Sequence, residues 1–271
     1  MKTTGCTRST KTMFNVIHQI RLFFIALQFF TRIPIPAWVG FEPDWLQHAA
    51  RYFVLVGVCV AAVTCGVYVG AAYFFPQAVA VLLSTVAGIY LTGAFHEDGF
   101  ADMCDGFGGG SSTERILDIM RDSRIGAYGA IGMLCLLALK LSALFYLPPT
   151  MLMASLLVAH TLSRLAASAV IWQLAYARAE GKAKPLAQQM SDGEFVIAAA
   201  TALLVIVITG LAGWLSWLSL MLGCVAVVCA TLWLCRMFVR RIDGYTGDCL
   251  GAVQQLSEVA FYLAIVATLR P

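Results

Sequence analysis

Long apolar runs without charge, separated by short polar or glycine- and proline-containing breaks, organise this chain. Tyr52 to Phe75 and Gln77 to Phe95 are two such runs, divided by Pro76. Ile125 to Leu147 follows with one charge, Lys140, and then Thr150 to Ala177 with His160 and Arg164. Phe195 to Cys235 is uncharged throughout and long enough for two helices with a turn near Gly210 to Ser216. Leu250 to Leu269 is the last run and holds Glu258. A helix needs about 20 apolar residues to cross a bilayer, so the pattern predicts seven spanning helices. Phe14 to Phe30 is apolar as well, but His18, Arg21 and Gln28 interrupt it. That stretch is expected to lie in the membrane interface. The predicted fold class is therefore all-α, a polytopic integral membrane helix bundle. It is read as one membrane-embedded domain over 1–271, with an N-terminal arm and interfacial helix at 1–50 and a polar segment at 96–126.

Composition excludes the soluble alternatives. Hydrophobic residues make up 60% of the chain and charged residues 12%, with a mean hydropathy of +0.81. A soluble domain carries about 25% charged residues, so this chain cannot cover a soluble surface. No basic stripe of the kind that binds nucleic acid is present. The nine cysteines form no C-x-x-C pair and lie mostly in apolar runs, which reads as small buried hydrophobes rather than a disulfide or metal framework. No small-residue cleavage site follows the first apolar stretch, so it does not read as a cleaved signal peptide.

Charge sorts the loops onto two sides. One side receives the N-terminal arm (Lys2, Arg8, Lys11, Arg21, Arg32, Arg51), the segment His96 to Arg124, the loop Arg178 to Glu194, and Arg236 to Asp248. The other receives tight turns around Pro76, Pro148-Pro149 and Trp214-Trp217, plus the C-terminus with Arg270. The positive-inside rule makes the first side cytoplasmic. A membrane protein with one bare face and one face dense in carboxylates, arginines and glycines is expected to work on water-soluble substrates from the cytoplasm.

The segment His96-Glu97-Asp98-Gly99-Phe100-Ala101-Asp102-Met103-Cys104-Asp105-Gly106 is the richest in chemistry, and the helix of the second span is expected to continue into it. Asp98, Asp102 and Asp105 stand at i, i+4 and i+7, within about 60° of one another on one helix face. Carboxylates so close repel unless a cation lies between them. An all-oxygen set suits Mg²⁺ or Ca²⁺, and Mg²⁺ typically pairs one or two carboxylates with substrate phosphates. Gly106-Phe107-Gly108-Gly109-Gly110 follows, as a phosphate-cradling loop or as a hinge, and Ser111-Ser112-Thr113-Glu114 reads as a capping box. Arg121 and Arg124 suit a bidentate phosphate clamp more than a mere anchor for the third span, and Asp122 offers a fourth carboxylate. Thr246-Gly247-Asp248 either meets the first cluster or caps the last helix. Lys140, His160, Arg164 and Glu258 lie within spans, where charge is costly; pairing inside the bundle and contact with substrate are both open.

Four motifs, Phe30-Thr31-Arg32-Ile33-Pro34-Ile35-Pro36, His96 to Gly106, Met120 to Gly129, and Thr246-Gly247-Asp248-Cys249-Leu250-Gly251-Ala252, resemble in order those of the cobalamin synthase (adenosylcobinamide-GDP ribazoletransferase) family. The family commonly carries a hydrophobic residue where this chain has Glu97. The resemblance implies a Mg²⁺-dependent membrane enzyme of late cobalamin biosynthesis. Such an enzyme joins α-ribazole, or its 5′-phosphate, to adenosylcobinamide-GDP and releases GMP. On this reading Asp98, Asp102, Asp105 and Asp122 are catalytic, and Asp98, Asp102 and Asp105, with Glu97 as a further candidate, hold the metal. His96, Gly108, Gly109, Arg121, Arg124 and Asp248 bind substrate. The implied partners are the two substrates and the lipid bilayer, with no nucleic acid, and a second copy of the chain in a homo-oligomer is a further candidate partner. Asp102-x-x-Asp105-Gly106 also resembles the opening of the CDP-alcohol phosphotransferase signature, whose remainder is absent, so a phospholipid synthase is the alternative enzyme. A transporter is the alternative of another class, but paired interrupted helices in two halves are not seen.

Overall fold

The computed structural model describes residues 16–177 and 190–269. Lys2, Arg8 and Lys11 of the arm and residues 178–189 of the loop before Glu194 lie outside the described residues. The helices in chain order are α1 (Val16–Phe30), α2 (Pro43–Ala49), α3 (Phe53–Ala72), α4 (Gln77–Thr92), α5 (Phe95–Gly109), α6 (Thr113–Ile119), α7 (Ala127–Tyr146), α8 (Pro149–Gln173), α9 (Asp192–Leu211), α10 (Trp217–Ile242) and α11 (Gly247–Ala267). Among the described residues, Asp44–Ala72, α7, α8, α9, α10 and α11 make six stretches long and apolar enough to cross a bilayer, or up to seven if α4 and α5 count together as one broken span. The chain is a multi-pass helix bundle. At 15 residues, α1 is shorter than a crossing requires. It buries Leu22, Ile25, Ala26 and Leu27 while Val16 and Ile17 remain exposed.

α8 is the axis of the bundle. Of its most apolar stretch, 83% is buried inside the protein, against 22% for α9. Small residues permit close crossings: a Cβ on Gly57 of α3 would collide with the His160 carbonyl of α8, and one on Gly223 of α10 with the Phe261 ring of α11. The outer helices turn Leu203, Leu204, Ile208, Leu218, Met221 and Val225 outward, the surface a lipid environment stabilises. The described cysteines are free thiols.

Two expectations about helix ends change. The fourth span stops at Gln173 instead of running to Ala177. Residues beyond it pair with the turn between α10 and α11: the Ala177 N–H donates to the Tyr245 carbonyl at 2.8 Å, and the Tyr245 N–H to the Ala175 carbonyl at 3.0 Å. Gly244, at φ 157°, allows that approach, since a Cβ there would meet the Ala175 oxygen. The second change is larger. α4 does not run straight into the carboxylate segment; α5 turns 88° away from it. Gly93 and Ala94 both adopt left-handed backbone, at φ 66° and 58°, a conformation that costs a residue with a Cβ about 1–2 kcal/mol.

Candidate active site

The break before α5 is held in place by the N-terminal motif. The backbone N–H of Arg32 donates to the Leu91 carbonyl at 2.8 Å, supplying a partner to the frayed end of α4. Its guanidinium lies 4.9 Å from the Tyr90 ring centroid, and a Cβ on Gly93 would sit 3.1 Å from Arg32 Nε. Phe30 stacks on His96 at 5.7 Å and packs edge-on against Phe53 and Phe95. Thr31 Oγ1 donates to the Leu27 carbonyl and accepts from the Ile33 N–H. The motif thus clamps the first turn of α5. The sequence signals its presence but not this role, because its contacts are about sixty residues away along the chain.

α5 then crosses the start of α11 at two glycines. A Cβ on Gly99 would be 3.0 Å from Asp248 Cα, and one on Gly251 2.9 Å from the His96 carbonyl oxygen. This contact brings the Thr246-Gly247-Asp248 turn against the carboxylate helix. The turn also caps α11, because Thr246 Oγ1 accepts from the Cys249 N–H at 3.4 Å. Both readings of that turn therefore hold. At its other end, α5 is capped from α10: Arg241 Nη2 donates to the Gly110 carbonyl at 2.7 Å, and Thr113 Oγ1 donates to the Arg241 carbonyl. Arg241 went without a role in the sequence, where it is one arginine among several.

The three spaced aspartates share a face as expected but differ in environment. Asp98 is exposed, Asp102 half-buried and Asp105 buried. Both oxygens of Asp105 accept backbone N–H groups at the start of α7, from Gly126 at 2.7 Å and Gly129 at 2.8 Å. Asp105 thus anchors the positive end of α7. Glu97 points elsewhere, toward α11, where Gln255 Nε2 donates to its Oε1 at 2.8 Å. His96 is buried beneath Phe30, away from exposed Asp98. Among the described residues no group of three or more His, Cys, Asp or Glu side chains is arranged to hold a metal ion. Asp98 and Asp102, one helical turn apart beside the first turn of α11, still fit a hard cation that takes its remaining ligands from water and substrate phosphate.

The glycine segment is not a loop. Gly106, Gly108 and Gly109 belong to α5, and the Gly110 N–H donates back to the Gly106 carbonyl. They are glycines for packing: a Cβ on Gly106 would meet Met120 at 2.7 Å, and one on Gly108 the Tyr128 ring at 2.5 Å. Gly108 and Gly109 are exposed, but as a helical turn they lack the open run of N–H groups that a phosphate loop offers. Ser112 does cap α6, its Oγ accepting from the Arg115 N–H. Beyond α6, Arg124 forms a forked pair with Asp122, Nε to Oδ1 at 3.0 Å and Nη2 to Oδ2 at 2.6 Å. The Arg124 guanidinium holds the Asp122 carboxyl at about 2. Arg121 is exposed beside this pair. Asp122 is thus engaged by an arginine rather than turned to the aspartate face.

The charges within the spans assemble around Glu258. Lys140 Nζ donates to its Oε2 at 2.7 Å; His160 Nδ1, Ser163 Oγ and Gln254 Nε2 approach its Oε1 at 2.8, 3.2 and 3.2 Å. Arg164 Nη1 lies 3.8 Å from the same oxygen.

The cobalamin-5-phosphate synthase (CobS) family matches this chain over residues 22–266. The chain belongs to that family. Its relatives include proteins named adenosylcobinamide-GDP ribazoletransferase from Leptothrix cholodnii, 46% identical over 260 residues and covering 93% of this chain and 97% of the relative. Those from Shewanella frigidimarina, 42% identical over 93% and 96%, and Shewanella woodyi, 44% identical over 92% and 96%, carry the same name. No solved structure matches this chain.

Proposed function

We propose that this protein is the transferase that joins α-ribazole, or its 5′-phosphate, to adenosylcobinamide-GDP with release of GMP in late cobalamin biosynthesis. The observation that carries the reading is the turned helix α5. It carries Asp98 and Asp102 beside the Asp248 turn, with Arg121 and Arg124 at the same end of the bundle. The chemistry is a displacement at the phosphorus that carries the corrinoid side chain. A ribazole hydroxyl oxygen forms the new P–O bond, the bond to the guanosine-side phosphate breaks, and GMP leaves with the electron pair. A carboxylate of the aspartate face accepts the hydroxyl proton. Mg²⁺ held by Asp98 and Asp102 would supply charge neutralisation at the pyrophosphate. Arg121 and Arg124 bind the departing phosphate, for which the substrate displaces Asp122 from its fork with Arg124. Asp105 keeps the start of α7 in register with α5, so the arginines and the aspartates hold one spacing.

The deciding assay is GMP release from adenosylcobinamide-GDP and α-ribazole by the purified protein. Release that requires Mg²⁺ and is abolished by chelation is expected; release of CMP from a CDP-alcohol instead would overturn the reading. The site is read as cytoplasmic from the charge on its loops, and the membrane as a bacterial inner membrane from the organisms of the relatives. A reporter cysteine at Pro149 should react with a membrane-impermeant reagent outside intact cells, while one at Ser111 should not. Labelling of Ser111→Cys from outside would reverse the topology.

A further inference from the structure

Glu97 and Asp98 leave α5 about 100° apart, and their surroundings are opposite. Glu97 lines a cavity inside the bundle together with Lys140, His160, Arg164, Gln255 and Glu258. The cavity has about 20 Å³ of room for the centre of a water molecule, enough to hold one. Several polar atoms of its lining residues are buried with no hydrogen-bond partner among the described residues: Glu97 Oε2, Gln255 Oε1, and Nε and Nη2 of Arg164. Arg164 is 3% exposed and Gln255 2%. Unmet donors on one residue and unmet acceptors on two others, around one small polar cavity, are the setting in which buried water bridges.

Charge leads to the same residue. Lys140 and Arg164 bring two positive charges into the bundle, and Glu258 brings one negative. A carboxylate only accepts, so His160 Nδ1 must carry the hydrogen it shares with Glu258, and a neutral imidazole satisfies that contact. Three helices therefore leave one positive charge unbalanced in an apolar interior, where isolated charge is expensive. Glu97, which comes from α5, brings the sum to zero.

We propose that Glu97 is a positioning residue: through water in this cavity it completes the charge balance of Lys140, Arg164 and Glu258, and so fixes the first turn of α5 and the outward setting of Asp98 and Asp102. Its effect on turnover rests on the transferase reading above; its effect on stability does not.

The test is a double-variant cycle on the full-length protein in detergent, using Glu97→Gln, Lys140→Met and the two combined. Each single change unbalances the cluster by one charge, of opposite sign, and should lower Tm by at least about 5 °C. The combination restores neutrality and should lie above the worse single variant by a clear margin. In the assay, Glu97→Gln should lower kcat by about 10-fold, the effect of losing a supporting contact. KM for the corrinoid substrate should stay within about twofold of wild type, and adding Lys140→Met, which restores neutrality, should recover part of the lost kcat. A combined variant whose losses in Tm simply add would overturn the charge balance. A combined variant with no more kcat than Glu97→Gln alone, and with its Mg²⁺ requirement still raised about 10-fold or more, would make the residue a metal ligand and overturn the positioning role. If a single variant does not fold, the combined variant decides alone: folding supports the proposal and failure to fold refutes it. If the wild-type protein turns over no substrate, the transferase reading fails and the Tm cycle still decides the charge balance.

Discussion

Glu258 and Asp98 are carboxylates in one bundle, met by their surroundings in opposite ways. Glu258 is fully buried, and lysine, histidine, serine and glutamine side chains from α7, α8 and α11 converge on its two oxygens. Asp98 is exposed at the outer face of α5. A buried carboxylate that is already satisfied has little left to offer a substrate, and its removal strands the cations that face it. An exposed one contributes little to folding and keeps its capacity for a ligand. The difference separates a structural centre inside the bundle from the chemical one proposed on α5, and the span charges Lys140, His160 and Arg164 pair with Glu258 inside the bundle.

That separation can be broken from either side. The largest effect is expected at Glu258→Leu, which leaves Lys140 and Arg164 unpaired and should destabilise the protein by about 3–5 kcal/mol. Thermal unfolding in detergent measures it, and a variant within about 1 kcal/mol of wild type would dissolve the structural centre. Next, Asp102→Asn keeps shape and removes charge; GMP release should fall by at least about 10²-fold with Tm unchanged. Near-normal turnover at saturating Mg²⁺ would withdraw Asp102 from the chemistry. Smallest is the paired change Arg121→Lys and Arg124→Lys. It preserves charge and membrane orientation but loses the planar fork, and kcat/KM should drop by about 1.5–3 kcal/mol. Unchanged kinetics would make these arginines anchors of the third span.

The spans were legible in the sequence because each is written locally, as an apolar run of the right length with few or no charges. The shared face of Asp98, Asp102 and Asp105 was legible for the same reason, since three- and four-residue spacing is a local property. What each aspartate faces was not. Asp105 is claimed by amides 21 and 24 residues further on, and Glu97 is turned inward by Gln255 at a separation of 158 residues. The 88° turn before α5 escaped notice because Ala94 carries no marker of left-handed backbone. Its supports, Arg32 and Phe30, come from a distant motif. The glycine run reads as a loop or a hinge because glycine marks both turns and close packing, and only the neighbours Tyr128 and Met120 reveal the packing.

Those glycines bear on attempts to stiffen the protein for experimental work. Replacing helical glycine by alanine ordinarily gains about 1 kcal/mol of helix propensity. Gly66 and Gly70 of α3 have nothing within 4 Å of an added methyl group, and they are open to that treatment. Gly126 and Gly129 are closed to it, because the methyl would press against the carboxylate of Asp105. Gly99 and Gly251 are closed by the backbone of the opposite helix. Membrane-embedded α3 thus offers room for engineering, whereas the end that carries the aspartates is a mould cast to the thickness of a bare backbone.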